Sequence, residues 1–461
     1  MDDGIHFMAL LVMKFGGSLT ADAQQLRRVV QIIHAEWLAW QRVVVVISAM
    51  SGATDTLRRA AEFAQQRDVT AYRRLMSGLR ADHITLIESL FAAGTLRQHL
   101  LQKLDGYLFS VLALCDGVAH SGALLPQQRD AVMAVGERLM ASITAALAQQ
   151  EGLRAALIEA ESVIITDNVH QNAHPLRDVI DERAEHILRP LLDKAVVPIV
   201  AGFIGATRNG EPTTLGRGGS DLTATLLAAA LGADEVWMWT SVDGIMSADP
   251  ALVPNARVIP SLTYEEIGEL AFFGARLLHP GAIEPLIRNN IPLRVRNPHN
   301  LDHDGTLVHA NPQQGAHRVK AVTAVDGLYL ALRDQPFDLI TFLGKVREKV
   351  GSLAADPVIV MQSYRRATLV FVVPTSEGPQ AVLAAARQLK DLLPEWDVQP
   401  VKVIAAIGAR TDLRPILSKN IRPLASALGA NERRLVAVNP ADVRDALQQF
   451  HSLTESDAVE A

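Results

Sequence analysis

The chain has 461 residues, 49% of them hydrophobic and 20% charged, with a formal net charge of −6. That is enough apolar material to exclude disorder of the whole chain, and too little positive charge for a protein that coats nucleic acid. The single cysteine, Cys115, excludes an internal disulfide and a cysteine-built zinc site.

The start, Met1-Asp2-Asp3-Gly4, has no basic stretch ahead of its apolar residues, so no secretory signal is expected. The uninterrupted apolar run near residues 195 to 206 is shorter than the roughly 20 residues that span a bilayer. The expected setting is the reducing cytoplasm, with no membrane and no nucleic acid as partner.

The elements read as an α/β alternation. Val12 to Phe15 is a short strand broken by Gly16-Gly17, and residues 21 to 40 carry Leu26, Val29, Val30 and Ile33 at helical spacing. Val43 to Ile47 is β-branched throughout, the pattern of a parallel strand buried on both faces. Residues 55 to 115 read as mostly helical, followed by a helix from Arg129 to Gln150. Then come a buried strand (196 to 204), a glycine-rich turn (216 to 221), a helix (222 to 231) and a strand (235 to 239). Helices over 264 to 273 and 282 to 289 and a strand over 291 to 295 complete the pattern, which implies a parallel sheet covered by helices.

The texture changes between Asn297 and Arg318, where Pro298, Gly305, Pro312 and Gly315 mark a boundary. Beyond it the expected order is a strand (319 to 332), a helix (337 to 350), strands (357 to 361 and 368 to 373) and a helix (379 to 392). Shorter segments follow at 401 to 407, 413 to 420, 421 to 428, 434 to 438 and 440 to 450, so two βαββα-like units are expected in succession.

Chemistry concentrates in a few places. The P-loop signature and a G-x-G-x-x-G after the first strand are both missing. In their place stands Lys14-Phe15-Gly16-Gly17-Ser18, a lysine at a strand end followed by glycines whose backbone N–H groups can approach phosphate oxygens. The run Thr213 to Asp221 puts Gly216, Gly218 and Gly219 around Arg217, ahead of a helix that Ser220 or Asp221 is expected to cap. An ordinary capped turn explains Ser220 but not three glycines flanking an arginine suited to bidentate carboxylate binding. Asp221 is the natural partner to keep a lysine charged and aimed. Ser48 to Thr54 follow the valine strand at the edge where open α/β sheets bind ligands. Glu137 sits near the start of an apolar helix. His170 and His174 share i, i+4 spacing, but on a loop without a Glu partner, so no metal pair and no dedicated metal-ligand set are expected. Trp237 and Trp239 read as core or sheet-face residues.

In this order the motifs resemble the aspartokinases of the amino acid kinase family. The resemblance runs from Met13 to about Leu307. It is strongest in Lys14 to Ser18, Gly202 to Gly205, Thr213 to Asp221, Thr240 to Pro250 and Phe273 to Pro280, with a weaker tail to about Phe450. It implies phosphorylation of the L-aspartate side-chain carboxylate by Mg-ATP, the first step toward lysine, threonine and methionine. It implies that Lys14 stabilises charge on the transferring phosphoryl group and that Gly16, Gly17 and Ser18 cradle it. Ser48 and Thr54 would line the substrate site, Glu137 would meet the ammonium and Arg217 the α-carboxylate. Gly218, Gly219, Ser220 and Asp221 would position substrate, lysine and metal. Thr240, Ser241, Met246 and Arg276 would contact nucleotide.

The implied fold is an amino-acid-kinase-like parallel-sheet sandwich over residues 1 to 310. Two small ACT-like βαββαβ domains would follow, over 320 to 396 and 397 to 455. Gln362-Ser363-Tyr364 and Phe371-Val372-Val373 match the first of these. Such domains sense lysine or threonine and pair edge to edge, implying a homodimer or higher homo-oligomer. The segment Arg333 to Phe337 and the one after Gly408 are short where the family's effector loops are glycine-rich.

The departures cluster at the nucleotide end. Thr240-Ser241 replaces the family's Thr-Asp, Met246 its tyrosine, Ala251 its basic residue and Arg276 its lysine. Losing a tyrosine and a cation would weaken ATP binding by ~1–3 kcal/mol. Two alternatives follow: a weakened kinase homologue that senses an amino acid, and a kinase for another amino acid.

Overall fold

The computed structural model describes residues 9–274, 280–310, 319–333, 338–350, 357–363, 365–373, 378–408, 417, 421–428 and 434–454. Arg276, Tyr364, the residues after Arg333 as far as Phe337 and most of 409 to 420 lie outside them. Two compact units form: Met1–Gly244 with Leu278–Ala310, and Ile245–Leu277 with Asn311–Ala461. The sequence reading ran the first unit unbroken to residue 310; residues 245–277 group instead with the C-terminal part.

In the first unit the strands are β1 (Leu10–Phe15), β2 (Arg42–Ile47), β3 (Ala155–Ile158), β4 (Ile165–Thr166), β5 (Val197–Ala201), β6 (Ile204–Thr207), β7 (Pro212–Thr214) and β8 (Glu235–Trp239). The short strand β9 (Ser261–Thr263) belongs to the second unit, and β10 (Leu293–Arg296) and β11 (Thr306–His309) return to the first. The main sheet runs β3-β5-β2-β1-β8-β10-β11. Its pairs are parallel except β10 with β11. Val43 to Ile47 of β2 are buried, as expected for a strand covered on both faces. A second sheet, β4-β6-β7, stands apart.

The register aligns the strand ends. Phe15 pairs with Ile47 and with Trp239, Ile47 with Ala201, and Trp239 with Arg296. The loops leaving β1, β2, β5 and β8 therefore share one edge, the carboxyl edge where parallel sheets bind ligands.

The helices of this unit are α1 (Ala23–Trp40), α2 (Ala53–Gln65), α3 (Val69–Leu90), α4 (Thr95–Ser121), α5 (Pro126–Met133), α6 (Val135–Gln150), α7 (Arg177–Ile187), α8 (Arg189–Asp193) and α9 (Gly219–Leu231). α10 (Tyr264–Phe272) lies in the second unit and α11 (Pro280–Asn289) in the first. Asp22 caps α1 by accepting from the Gln25 N–H at 2.9 Å. The expected helix from Arg129 to Gln150 is two helices meeting at Ala134, which keeps helical dihedrals (φ −62°, ψ −19°). The run Pro126–Gln150 is long and apolar enough to cross a membrane by length and composition, but 83% of its most apolar window is buried within the fold. The expected strand from 196 to 204 is also two, because Phe203 turns the chain with φ 71° between β5 and β6.

In the second unit an antiparallel sheet runs in the order β13 (Pro357–Ser363), β14 (Arg366–Val372), β12 (Ala321–Arg333), β15 (Asp397–Ile407), β17 (Arg434–Val438), β16 (Ala425–Leu428). The strands expected in two successive units thus merge into one sheet. β12 pairs β14 through residues 327 to 333 and β15 through 321 to 331. Two cores form on it. Leu328, Leu330 and Phe371 pack with Val382 and Leu389 of α13 (Gly378–Leu392) and with Phe342 of α12 (Leu339–Val350). Val322, Ile404 and Val436 pack with Leu447 and Phe450 of α14 (Val443–His451) and with Ala248 and Val253. The last two explain why residues 245–277 group with the C-terminal part.

Candidate active site

The site is built at the carboxyl edge of the first unit's sheet. Lys14, the fifth residue of β1, has its Nζ 2.6 Å from Asp221 Oδ1, and only 15% and 13% of the two side chains are exposed. Two charges held this close and this far from water attract strongly, so each fixes the other's position. The two residues lie more than two hundred positions apart, yet the sequence had suggested the pair.

Glycines let the surrounding backbone close in. A Cβ on Gly16 would sit 3.7 Å from Lys14 Nζ, and one on Gly17 would meet the Ala49 carbonyl at 3.0 Å. Thr20 locks that contact, its hydroxyl donating to the Gly17 and Ala49 carbonyls at 3.0 and 2.9 Å. The Gly16-Gly17-Ser18 turn is thereby pressed against the loop that follows β2. Ser18 is exposed, and Ser48 is held by its own N–H donating to the Phe15 carbonyl at 3.2 Å.

Helix α9 approaches the same edge. A Cβ on Gly202 would overlap the Ser220 side chain at 2.6 Å, and one on Gly219 would reach Phe203 at 2.8 Å. The N-cap of α9 is Gly218, not Ser220 or Asp221 as expected. Gly218 takes φ 69°, a left-handed conformation that glycine adopts without strain, so the helix starts two residues early. Ser220 and Asp221 then fall in the first turn, with the positive end of the helix dipole beside the Asp221 carboxyl group. Arg217 is exposed and, among the described residues, has no ion-pair partner.

Glu137, in the first turn of α6, is 4% exposed. Thr54 Oγ1 donates to its Oε1 at 3.4 Å, and the Ala49 N–H and its own N–H also support the carboxyl group. Its Oε2 is buried with no hydrogen-bond partner among the described residues. Burial pushes its pKa up from 4.5 to about 8, outweighing those donors. A buried acid with one oxygen unmatched costs stability unless a cationic donor meets it.

At the end of β8, Thr240 donates its N–H to the Arg296 carbonyl at 2.9 Å, and Ser241 is exposed. Asp243 accepts from Asn297 Nδ2 at 2.7 Å and Asn300 Nδ2 at 3.1 Å, which hold its carboxyl pKa below the usual value. Trp237 and Trp239 are buried as expected, with the Arg296 guanidinium 4.6 and 5.1 Å from their ring centres. Met246 lies in the second unit, bridged to Val258, and Arg276 is outside the described residues.

His170 and His174 do not share a ligand. Their Nδ1 atoms lie 2.8 Å from Asp130 and 3.0 Å from Asp167 respectively. Asp130 was missed by the sequence reading. The available signal was slight: an acidic residue seven positions before Glu137, following Gln127, Gln128 and Arg129 in a helical segment.

The chain is similar to known kinases. Aspartokinase 1, chloroplastic, of Arabidopsis thaliana is 34% identical over 301 residues, covering 64% of this chain and 51% of its own length. The aspartokinase of Candida albicans is 33% identical over 313 residues, covering 65% of this chain and 56% of its own. The chain thus spans about half the length of the curated relatives it matches. The fold matches that of E. coli aspartokinase III in complex with aspartate and ADP, with a TM-score of 0.77 at 24% identity, over 97% of this chain and 100% of that one. The model of the amino acid kinase family matches residues 9–297, so the chain belongs to the amino acid kinase family.

Proposed function

We propose that the protein is an aspartate kinase, transferring the γ-phosphoryl group of ATP to the side-chain carboxylate of L-aspartate. The observation that carries this reading is the combination of Glu137, a buried carboxyl group with Oε2 unpartnered, and the Lys14–Asp221 pair on the same sheet edge. Glu137 suits a substrate ammonium, and the exposed Arg217 suits an α-carboxylate. Together they select an α-amino acid. The 34% identical Arabidopsis aspartokinase supports aspartate as that amino acid.

The chemistry asks little of the protein beyond placement. The acceptor carboxylate is already ionised and needs no general base. Its oxygen attacks the γ-phosphorus in line as the bond to the ADP oxygen breaks, and charge spreads over the equatorial phosphoryl oxygens. Lys14, aimed by Asp221, supplies positive charge there without reorganising. The backbone of Gly16, Gly17 and Ser18 offers donors to the same group. Among the described residues no cluster of three or more potential ligands forms a metal cage. Magnesium needs only one or two carboxyl groups besides nucleotide phosphates, and the Asp221 carboxyl group fits that requirement. When bound with ATP, the ion would neutralise charge on the phosphate oxygens.

The antiparallel sheet of the second unit is read as a fused pair of ACT-like domains sensing lysine or threonine. E. coli aspartokinase III, whose structure with lysine and aspartate matches the fold with a TM-score of 0.76, supports lysine. We read the enzyme as a cytoplasmic homo-oligomer.

Incubating the protein with Mg-ATP, aspartate and hydroxylamine should give aspartyl hydroxamate, with ADP released in equal amount. No hydroxamate across ATP and pH titrations would overturn the reading. Hydroxamate from glutamate but not aspartate would change the substrate. Lysine or threonine should lower the rate if the second unit is an effector domain.

A further inference from the structure

We propose that Asp130 is a positioning residue for the substrate grip: its carboxyl group fixes the Gly216–Gly218 turn that carries Arg217, from the helix pair that carries Glu137. This rests on the reading that Arg217 and Glu137 hold the two ends of an α-amino acid.

Asp130 is completely buried on α5. A carboxyl group in such a place must be satisfied by donors, and the donors reveal what it holds. Thr214 Oγ1 donates to Oδ1 at 2.6 Å. The Gln171 N–H reaches Oδ1 at 3.1 Å and Oδ2 at 3.0 Å, and His170 Nδ1 lies 2.8 Å from Oδ2. None of these partners belongs to α5. They belong to the end of β7 and to the loop from Asp167 to His174, whose ends are joined by the Asp167 N–H donating to the His174 carbonyl at 2.9 Å.

Loop and strand are also tied to each other, the Ala173 N–H donating to the Thr214 carbonyl at 2.9 Å. The next residues form the turn. Gly216 takes φ 74° and packs so closely on the loop that a Cβ would lie 2.5 Å from Asn172 Oδ1 and 3.3 Å from the Gln171 carbonyl. The Gly219 N–H closes the turn on the Gly216 carbonyl at 3.1 Å. Arg217 projects from it, exposed and without an ion-pair partner among the described residues. The place from which it projects is set by its backbone, and that backbone rests on the loop that Asp130 holds.

The other end of the connection is short. α5 passes through the helical Ala134 into α6, and Glu137 lies seven residues, about two turns, beyond Asp130. One helical run thus carries the group for the substrate ammonium and the anchor for the turn that presents the arginine.

The test uses the full chain with Asp130→Asn, Thr214→Val and Thr214→Ser. Asparagine keeps the shape but turns one acceptor into a donor facing donors. Valine removes the Thr214 hydroxyl, and serine restores it. Aspartate KM, ATP KM, kcat and hydrogen exchange at residues 214 to 219 are measured. Asp130→Asn should raise aspartate KM about ten- to thirtyfold with ATP KM within about twofold, and Thr214→Val should raise it about threefold. Thr214→Ser should behave as wild type, and exchange at 214 to 219 should quicken in the first two variants. Aspartate and ATP KM rising together, or a folded Asp130→Asn with aspartate KM and exchange unchanged, would overturn the role. If Asp130→Asn fails to fold, Thr214→Val against Thr214→Ser decides on the same readouts. If the wild-type chain phosphorylates no aspartate while exchange still quickens, the activity reading fails and the anchoring of the turn stands.

Discussion

The two ends of the proposed active site are held in different ways. At the acceptor end four groups are fixed by close contact, Lys14 by Asp221, Gly17 against Ala49, Ser220 against Gly202 and Glu137 within an apolar helix start, while Arg217 is exposed on a turn that is itself held from below. At the nucleotide end the described residues are held near the surface. Asp243 is tied by two asparagine side chains, and Ser241 is exposed. The departures from the family pattern cluster at this second end. A glycine whose added Cβ would lie 2.6 to 3.0 Å from a neighbour leaves no room for a side chain unless that neighbour shifts. A residue on an exposed turn, as Ser241 is, can change at small cost to folding.

The largest effect expected is at the phosphoryl group. Lys14→Ala should lower kcat about a thousandfold, because it removes the cation that Asp221 holds at the edge where charge develops on the phosphoryl group. The coupled ADP-release assay measures this, and thermal unfolding checks that the chain remains folded. A variant retaining more than a tenth of wild-type turnover would break the claim that charge at this end is fixed for catalysis.

Glu137→Gln comes next. It should raise aspartate KM about ten- to a hundredfold, the loss of one charged hydrogen bond, with ATP KM unchanged. The same group makes a pH prediction. Its folded pKa is raised from 4.5 to about 8 by burial. Below the lower value the group is protonated both folded and unfolded, and its contribution to stability does not vary with pH. As pH rises toward about 8 the unfolded chain ionises first, and stability falls by on the order of 3–5 kcal/mol. Melting curves should therefore show Glu137→Gln gaining on wild type between about pH 5 and pH 8.5. Saturating aspartate should narrow that gap. In the wild type, aspartate KM should fall as pH rises through about 8, as the carboxyl group ionises to meet the ammonium. A gap independent of pH would show that Glu137 is not the buried acid the geometry describes.

A smaller effect is expected where backbone meets helix. Gly202→Ala puts a methyl group 2.6 Å from the Ser220 side chain, so α9 or the β5–β6 corner must shift. That should cost about 1–3 kcal/mol of stability and about tenfold in kcat/KM for aspartate, with a lesser change for ATP. Equal losses for both substrates would mean that the two ends are less separate than the contacts indicate.

How much of this was legible before the structure depends on the distance over which each feature is determined. The valine run of β2 is local, and it reads correctly from side chains alone. Lys14 and Asp221 each stand at an element end next to glycines, so their partnership could be guessed from two local patterns. Asp130 could not, because its donors lie 40 to 84 positions away and an aspartate near a helix start usually faces solvent. The cap of α9 was misplaced because side-chain capping rules favour Ser220, whereas a left-handed glycine does the work at Gly218. That the strands of the two expected units share one antiparallel sheet was not legible, because the pairing of β12 with β15 that joins them links residues about 65 to 85 positions apart.

The smallest effect probes the nucleotide end itself. Ser241 is exposed where the family places an aspartate, two residues before Asp243. Ser241→Asp adds a carboxyl group able to accept from nucleotide hydroxyls. It also adds like charge near Asp243, whose own charge is already held by Asn297 and Asn300. The gain from one exposed polar contact, less that repulsion, should lower ATP KM by about two- to fivefold. Because the substitution touches none of the wedged contacts, aspartate KM and thermal stability should stay as in wild type. Steady-state kinetics with each substrate varied in turn gives the answer. A shift in aspartate KM as large as that in ATP KM would mean that the exposed turn is coupled to the buried grip, and the contrast between a fixed end and a free end would fall.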